Sequence, residues 1–170
     1  DLTSNMQANG SEDNQLFYEN LRYETKYRKQ LDSVDLLIKA SQLYKPDLAK
    51  QEAFRDKLLK ERKAYIESLG KEHPNSFFTQ FKLAGQNPDL LYPKNPDGTL
   101  DTIQQTILYR DAYWNNTNIA DERLLRTPVI VNKLKTYITQ LVSQRPDSVI
   151  KYMVPLIEKA KSNAECFKFV

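Results

Sequence analysis

From Ser11 onward, apolar residues return at three- and four-residue steps, the period of an α-helix packed along one side. Phe17, Leu21, Tyr27, Leu31, Val34 and Ile38 mark a long first helix. Ser11 suits its N-cap, and Glu12 and Asp13 suit the positive end of the helix dipole. Proline restricts the residue before it, so this helix should end ahead of Pro46. Phe54, Leu58, Tyr65 and Leu69 mark a second helix, widened by Leu59 and Ile66, with Gly70 placed as a left-handed C-cap. A short turn around Tyr44-Lys45-Pro46-Asp47 would join the two as an antiparallel hairpin.

The pattern then shortens. His73-Pro74-Asn75-Ser76 breaks the chain, and Phe77, Phe78, Phe81, Leu83 and Ala84 form a brief apolar helix stopped by Gly85. Pro88, Pro93 and the turn signature Asn95-Pro96-Asp97-Gly98 mark an irregular stretch over 87–98. Leu100, Ile103, Ile107 and Trp114 share one face of the next helix, and Asn115 to Asn118 end it. Residues 121–126 allow one turn of helix. Thr127-Pro128 is a good start pair for a helix carrying Ile130, Leu134, Tyr137, Ile138 and Leu141. Pro146-Asp147-Ser148 opens another, with Ile150, Met153, Ile157 and Ala160 inward and a kink expected at Pro155. No alternating β-branched run is present. The expectation is an all-α helical bundle: a long N-terminal antiparallel hairpin followed by several shorter helices. Residues 1–10 read as a linker or the tail of a preceding domain, and 11–170 as a single domain.

Composition narrows the chemistry. One Cys among 170 residues excludes an internal disulfide, and one Cys with one His excludes the usual four-ligand zinc sites. Four glycines leave no phosphate-binding loop, and no apolar run is long enough to span a bilayer. No metal, cofactor or catalytic residue is therefore expected. The net charge of +3 is compatible with an anionic partner, but the charges fit the solvated faces of long helices better. Tyr23, Lys26, Tyr27, Arg28 and Lys29 mix aromatic and basic residues without a nucleic-acid motif, so no nucleic acid is expected.

Cys166 and His73 are the only residues that could make a thiol–imidazole pair. No catalytic signature surrounds either, and a buried apolar role for Cys166 is favoured. The richest recognition chemistry lies at Tyr109, Tyr113, Trp114, Arg123 and Arg126, residue types that dominate interface hot spots. The competing reading makes Trp114 a core anchor and pairs the arginines with Asp111, Asp121 or Glu122.

The blocks Tyr109-Arg-Asp-Ala-Tyr-Trp-Asn-Asn116, Asp121-Glu-Arg-Leu-Leu-Arg-Thr-Pro128 and Pro146-Asp-Ser-Val-Ile150 resemble the helical middle domain of exported thioredoxin-like proteins of gut Gram-negative bacteria. Gly10-Ser-Glu-Asp-Asn-Gln-Leu-Phe17 is similar to the junction after their β-rich N-terminal domain. The resemblance implies a periplasmic or envelope location and a parent thiol–disulfide oxidoreductase. The Cys-x-x-Cys segment of such a parent is absent here, so no catalytic residue carries over. The apolar ending Phe167-Lys168-Phe169-Val170 likewise suggests a piece of something longer. The expected function is a non-catalytic helical spacer, docking or dimerisation domain. Its partner would be the adjacent thioredoxin-like domain, a client or a second copy. The alternative is an independent ligand- or peptide-binding module using the Tyr109–Arg126 surface.

Overall fold

The computed structural model describes residues 5–41 and 48–170. These residues are all-α and contain no strand; one isolated antiparallel bridge joins Lys94 to Leu100. The helices are α1 (Glu12–Ser41), α2 (Leu48–Glu72), α3 (Phe77–Ala84), α4 (Thr102–Ala112), α5 (Pro128–Thr136), α6 (Pro146–Ala160) and α7 (Ala164–Phe169). A 3-10 turn spans Glu122–Arg126, and a π turn over Tyr137–Leu141 extends α5. The chain groups into two compact units, Asp1–Thr79 and Gln80–Val170, where the sequence pattern suggests one domain. Each unit has apolar clusters of its own.

Unit 1 is built on α1 and α2. Contacts run from Glu12–His73 through Tyr23–Tyr65 and Glu24–Arg62 to Asp35–Arg55, so the two helices are antiparallel. The turn expected at 44–47 lies outside the described residues. The seam holds Leu16, Tyr27 and Val34 of α1 against Leu58, Ile66 and Leu69 of α2. Tyr23 and Tyr65 stack across it with ring centroids 3.9 Å apart. Three expected members of the stripe are exposed: Phe17 at 47%, Phe54 at 42% and Leu59 at 40%. Leu16 and the buried Asn20 occupy the inward line instead of Phe17. A polar residue in the seam hid the true register.

Arg62 fills the corresponding gap in α2. Its guanidinium holds Glu24 with two bonds, Nη2 to Oε1 at 2.8 Å and Nε to Oε2 at 3.1 Å, and lies 5.6 Å from the Tyr27 ring centroid. Nearer the far end, Arg55 reaches Asp35 at 2.9 Å. Leu36, Leu37 and Phe54 remain exposed there, and with Lys29, Gln30, Ser33, Val34 and Gln51 they border or flank a groove of about 320 Å³.

Ser11 caps α1 as expected, its Oγ accepting from Asn14 N–H at 3.4 Å. Gly70 is not a C-cap, because α2 continues through it to Glu72 and stops at the His73–Pro74 break. There Asp13 Oδ1 accepts from Ser76 Oγ at 2.5 Å and from Phe78 N–H at 3.0 Å, while Ser76 Oγ accepts from Thr79 N–H at 3.2 Å. A carboxylate of α1 thus caps the start of α3 across 65 residues of sequence.

In unit 2, Tyr113, Trp114, Ile119, Tyr137, Val142, Leu156, Ala160 and Cys166 form the main core cluster. Asp101 caps α4 by accepting from Gln104 N–H at 2.8 Å. Gly98 takes the positive φ of 84° that the turn before it requires. The expected inward face of α4 is corrected: Leu100 is 42% and Ile103 75% exposed, while Tyr109 packs against the core. Trp114 lies in the turn beyond α4 and is not on its face. Thr127-Pro128 starts α5 as expected, Thr127 Oγ1 accepting from Val129 N–H at 3.3 Å. Helix α6 carries Pro155 inside it and continues to Ala160.

Candidate functional site

The five residues singled out for recognition all lie in unit 2 and do not gather on its surface. Tyr113 and Trp114 are 5% and 7% exposed. Tyr113 stacks on Tyr137 at 5.7 Å, and Trp114 meets the same ring edge-on at 5.5 Å. Tyr109 is half-buried, 6.1 Å from Tyr113. The two aromatic anchors that a binding surface would need are therefore core residues. Arg123 is tied to Asp121, Nη2 to Oδ2 at 2.7 Å and Nε to Oδ1 at 2.9 Å. That guanidinium holds the Asp121 carboxyl below the usual carboxylate range. Asp121 also caps the 3-10 turn through Arg123 N–H. Arg126 is exposed.

The same cluster contains a residue the sequence reading passed over. Lys133 of α5 is 7% exposed, with Nζ 4.5 Å from the Tyr113 centroid and 5.7 Å from that of Trp114. Its hydrogen-bond acceptor is the Gln86 carbonyl at 3.4 Å. Burial lowers its pKa to about 8. The signal was in the pattern: Lys133 sits three residues after Ile130 and four before Tyr137, on the buried side of α5. Burial also raises the pKa values of the Tyr113 and Tyr137 hydroxyls.

Cys166 is fully buried at the start of α7, where Asn163 Oδ1 accepts from its N–H at 3.1 Å. Burial pushes its thiol up, and the nearby Glu122, Asp121 and Glu165 carboxylates push it the same way. This is the opposite of the electropositive setting that activates a thiolate. His73 belongs to unit 1, where Nδ1 meets Glu12 Oε1 at 2.7 Å. Among the described residues no group of His, Cys, Asp and Glu is arranged to hold a metal ion. No helix among them is long and apolar enough to cross a membrane.

Arg110 is the arginine of this region with distinctive geometry. Its guanidinium carbon lies 4.1 Å from the Tyr152 ring centroid, and its Nε lies 3.6 Å from Asp111 Oδ1. It lines a groove between α4 and α6 together with Thr102, Ile103, Thr106, Ile107 and Tyr152.

Comparison with known proteins adds no identity: no protein-family model, no curated protein and no solved structure matches the chain.

Proposed function

We propose that the chain is a non-catalytic helical spacer and docking domain of an envelope thioredoxin-like protein. The observation that carries this reading is the α1–α2 pair. It is interlocked along its length by the Tyr23–Tyr65 stack and by the Glu24–Arg62 and Asp35–Arg55 ion pairs. A 30-residue helix rises about 45 Å at 1.5 Å per residue. A braced hairpin of that length can fix the distance to a tethered neighbour and raise its effective concentration near a client. Exposed Leu36, Leu37 and Phe54 towards its far end support the docking part of the reading. The sequence resemblance supports the envelope setting and the redox-active neighbour. Burial of Cys166 beside acidic groups supports the non-catalytic assignment.

Insulin reduction by dithiothreitol is the first test. In the presence of this chain the rate should stay at that of the reagent alone. Turnover above that rate, lost in Cys166→Ser, would refute the non-catalytic reading.

A further inference from the structure

The groove between α4 and α6 is lined by both polar and apolar side chains. Its volume is about 510 Å³, and it opens to solvent. Ile103, 75% exposed, and the half-buried Ile107 supply the aliphatic wall, and the Tyr152 ring lies opposite on α6. The Arg110 side chain is only 13% exposed. Its Nε is buried and has no hydrogen-bond partner among the described residues. Asp111 Oδ1, at 3.6 Å, is beyond hydrogen-bond reach of that nitrogen, and its side chain is 61% exposed. A buried donor of a charged group without an acceptor is costly, and native structures rarely leave one. A guanidinium already stacked on an aromatic ring is preorganised for a carboxylate. Lys151 Nζ, 5.3 Å from the same ring centroid, adds positive charge on the α6 side.

One further group selects among carboxylates. Thr106 Oγ1 donates to the Thr102 carbonyl at 2.8 Å, which leaves its lone pairs as acceptors. An N–H next to the bound carboxylate would use them. A fatty acid has no such donor, whereas the last residue of a peptide does. We propose that this groove binds the C-terminal end of an extended peptide whose last residue is aliphatic. The terminal carboxylate meets Arg110, the aliphatic side chain lies against Ile103, Ile107 and Tyr152, and the terminal N–H donates to Thr106. This site is independent of the spacer reading, which rests on unit 1.

The test is a titration of the whole ¹⁵N-labelled chain followed by the backbone amide signals of Thr106, Ile107 and Arg110. Three probes are used: N-acetyl-Gly-Gly-Ala-Leu with a free carboxylate, the same peptide as its C-terminal amide, and octanoate. The acid should give saturable shifts at these amides, with the amide peptide at least tenfold weaker and octanoate weaker than the acid. Ile103→Asp changes an exposed side chain and should weaken the acid at least tenfold with the spectrum otherwise preserved. Arg110→Gln should do the same. Equal binding of acid and amide, octanoate binding as well as the acid, an unaffected Ile103→Asp variant, or no saturable shift would each overturn the proposal.

Discussion

Lys133 shows how one side chain sets a pH dependence. Its ammonium is buried against two aromatic rings with a carbonyl as its acceptor. Its pKa falls from 10.5 to about 8 on folding. Between those values the unfolded chain holds more protons than the folded one, so stability rises with pH. From about pH 7 to roughly pH 9.5 this contributes about 2 kcal/mol. The Cys166 thiol, raised by burial, works against it, since its contribution is lost as pH climbs past the unfolded thiol value. Comparing the native chain with Lys133→Met removes that common part. Urea unfolding across this range should show the native chain gaining about 2 kcal/mol on the variant; parallel profiles would mean that the ammonium is solvated. Lys133 was hard to read in the sequence because a lysine on an apolar stripe is ordinarily at its edge with the amine in water. Thr127-Pro128 was easy, because its cap is local and needs no neighbour. Gly70 misled for the converse reason: α2 runs through it to Glu72 and does not use it as a cap.

At the scale of the helix pair, the apolar period fixed that α1 and α2 exist and that they pair. It did not fix which residues touch. Asn20 and Arg62 lie on the packed line, while Phe17 and Phe54, the more apolar choices, lie off it. Arg62 is tolerated in the seam because Glu24 is its partner, whereas Asn20 Nδ2 is buried there with no hydrogen-bond partner among the described residues. The Glu24–Arg62 side chains are 24% and 29% exposed, so water screens them only in part. A double-mutant cycle with Glu24→Gln and Arg62→Met should give a coupling of about 1 kcal/mol, the upper end for accessible pairs. Coupling near zero in urea denaturation would show that this ion pair does not brace the hairpin. The candidate recognition residues were legible as a cluster but not as a surface. Tyr and Trp have the same signature in a core as at an interface, and only burial separates the two.

At the scale of the whole chain, the α-class was legible throughout, whereas the division into two compact units was not. The division falls inside α3, between Thr79 and Gln80, with no Gly- or Pro-rich linker to announce it. A functional reading of the whole therefore depends on whether the α1–α2 pair holds its length as a rigid element. Spin labels at Lys39→Cys and Lys71→Cys, with Cys166 replaced by Ala, report this directly by electron–electron distance measurement. The antiparallel register puts these exposed positions on the order of 30 Å apart at 1.5 Å per residue. A single narrow distribution near that distance is the expected result; a broad distribution, or two populations, would contradict a spacer made of these helices.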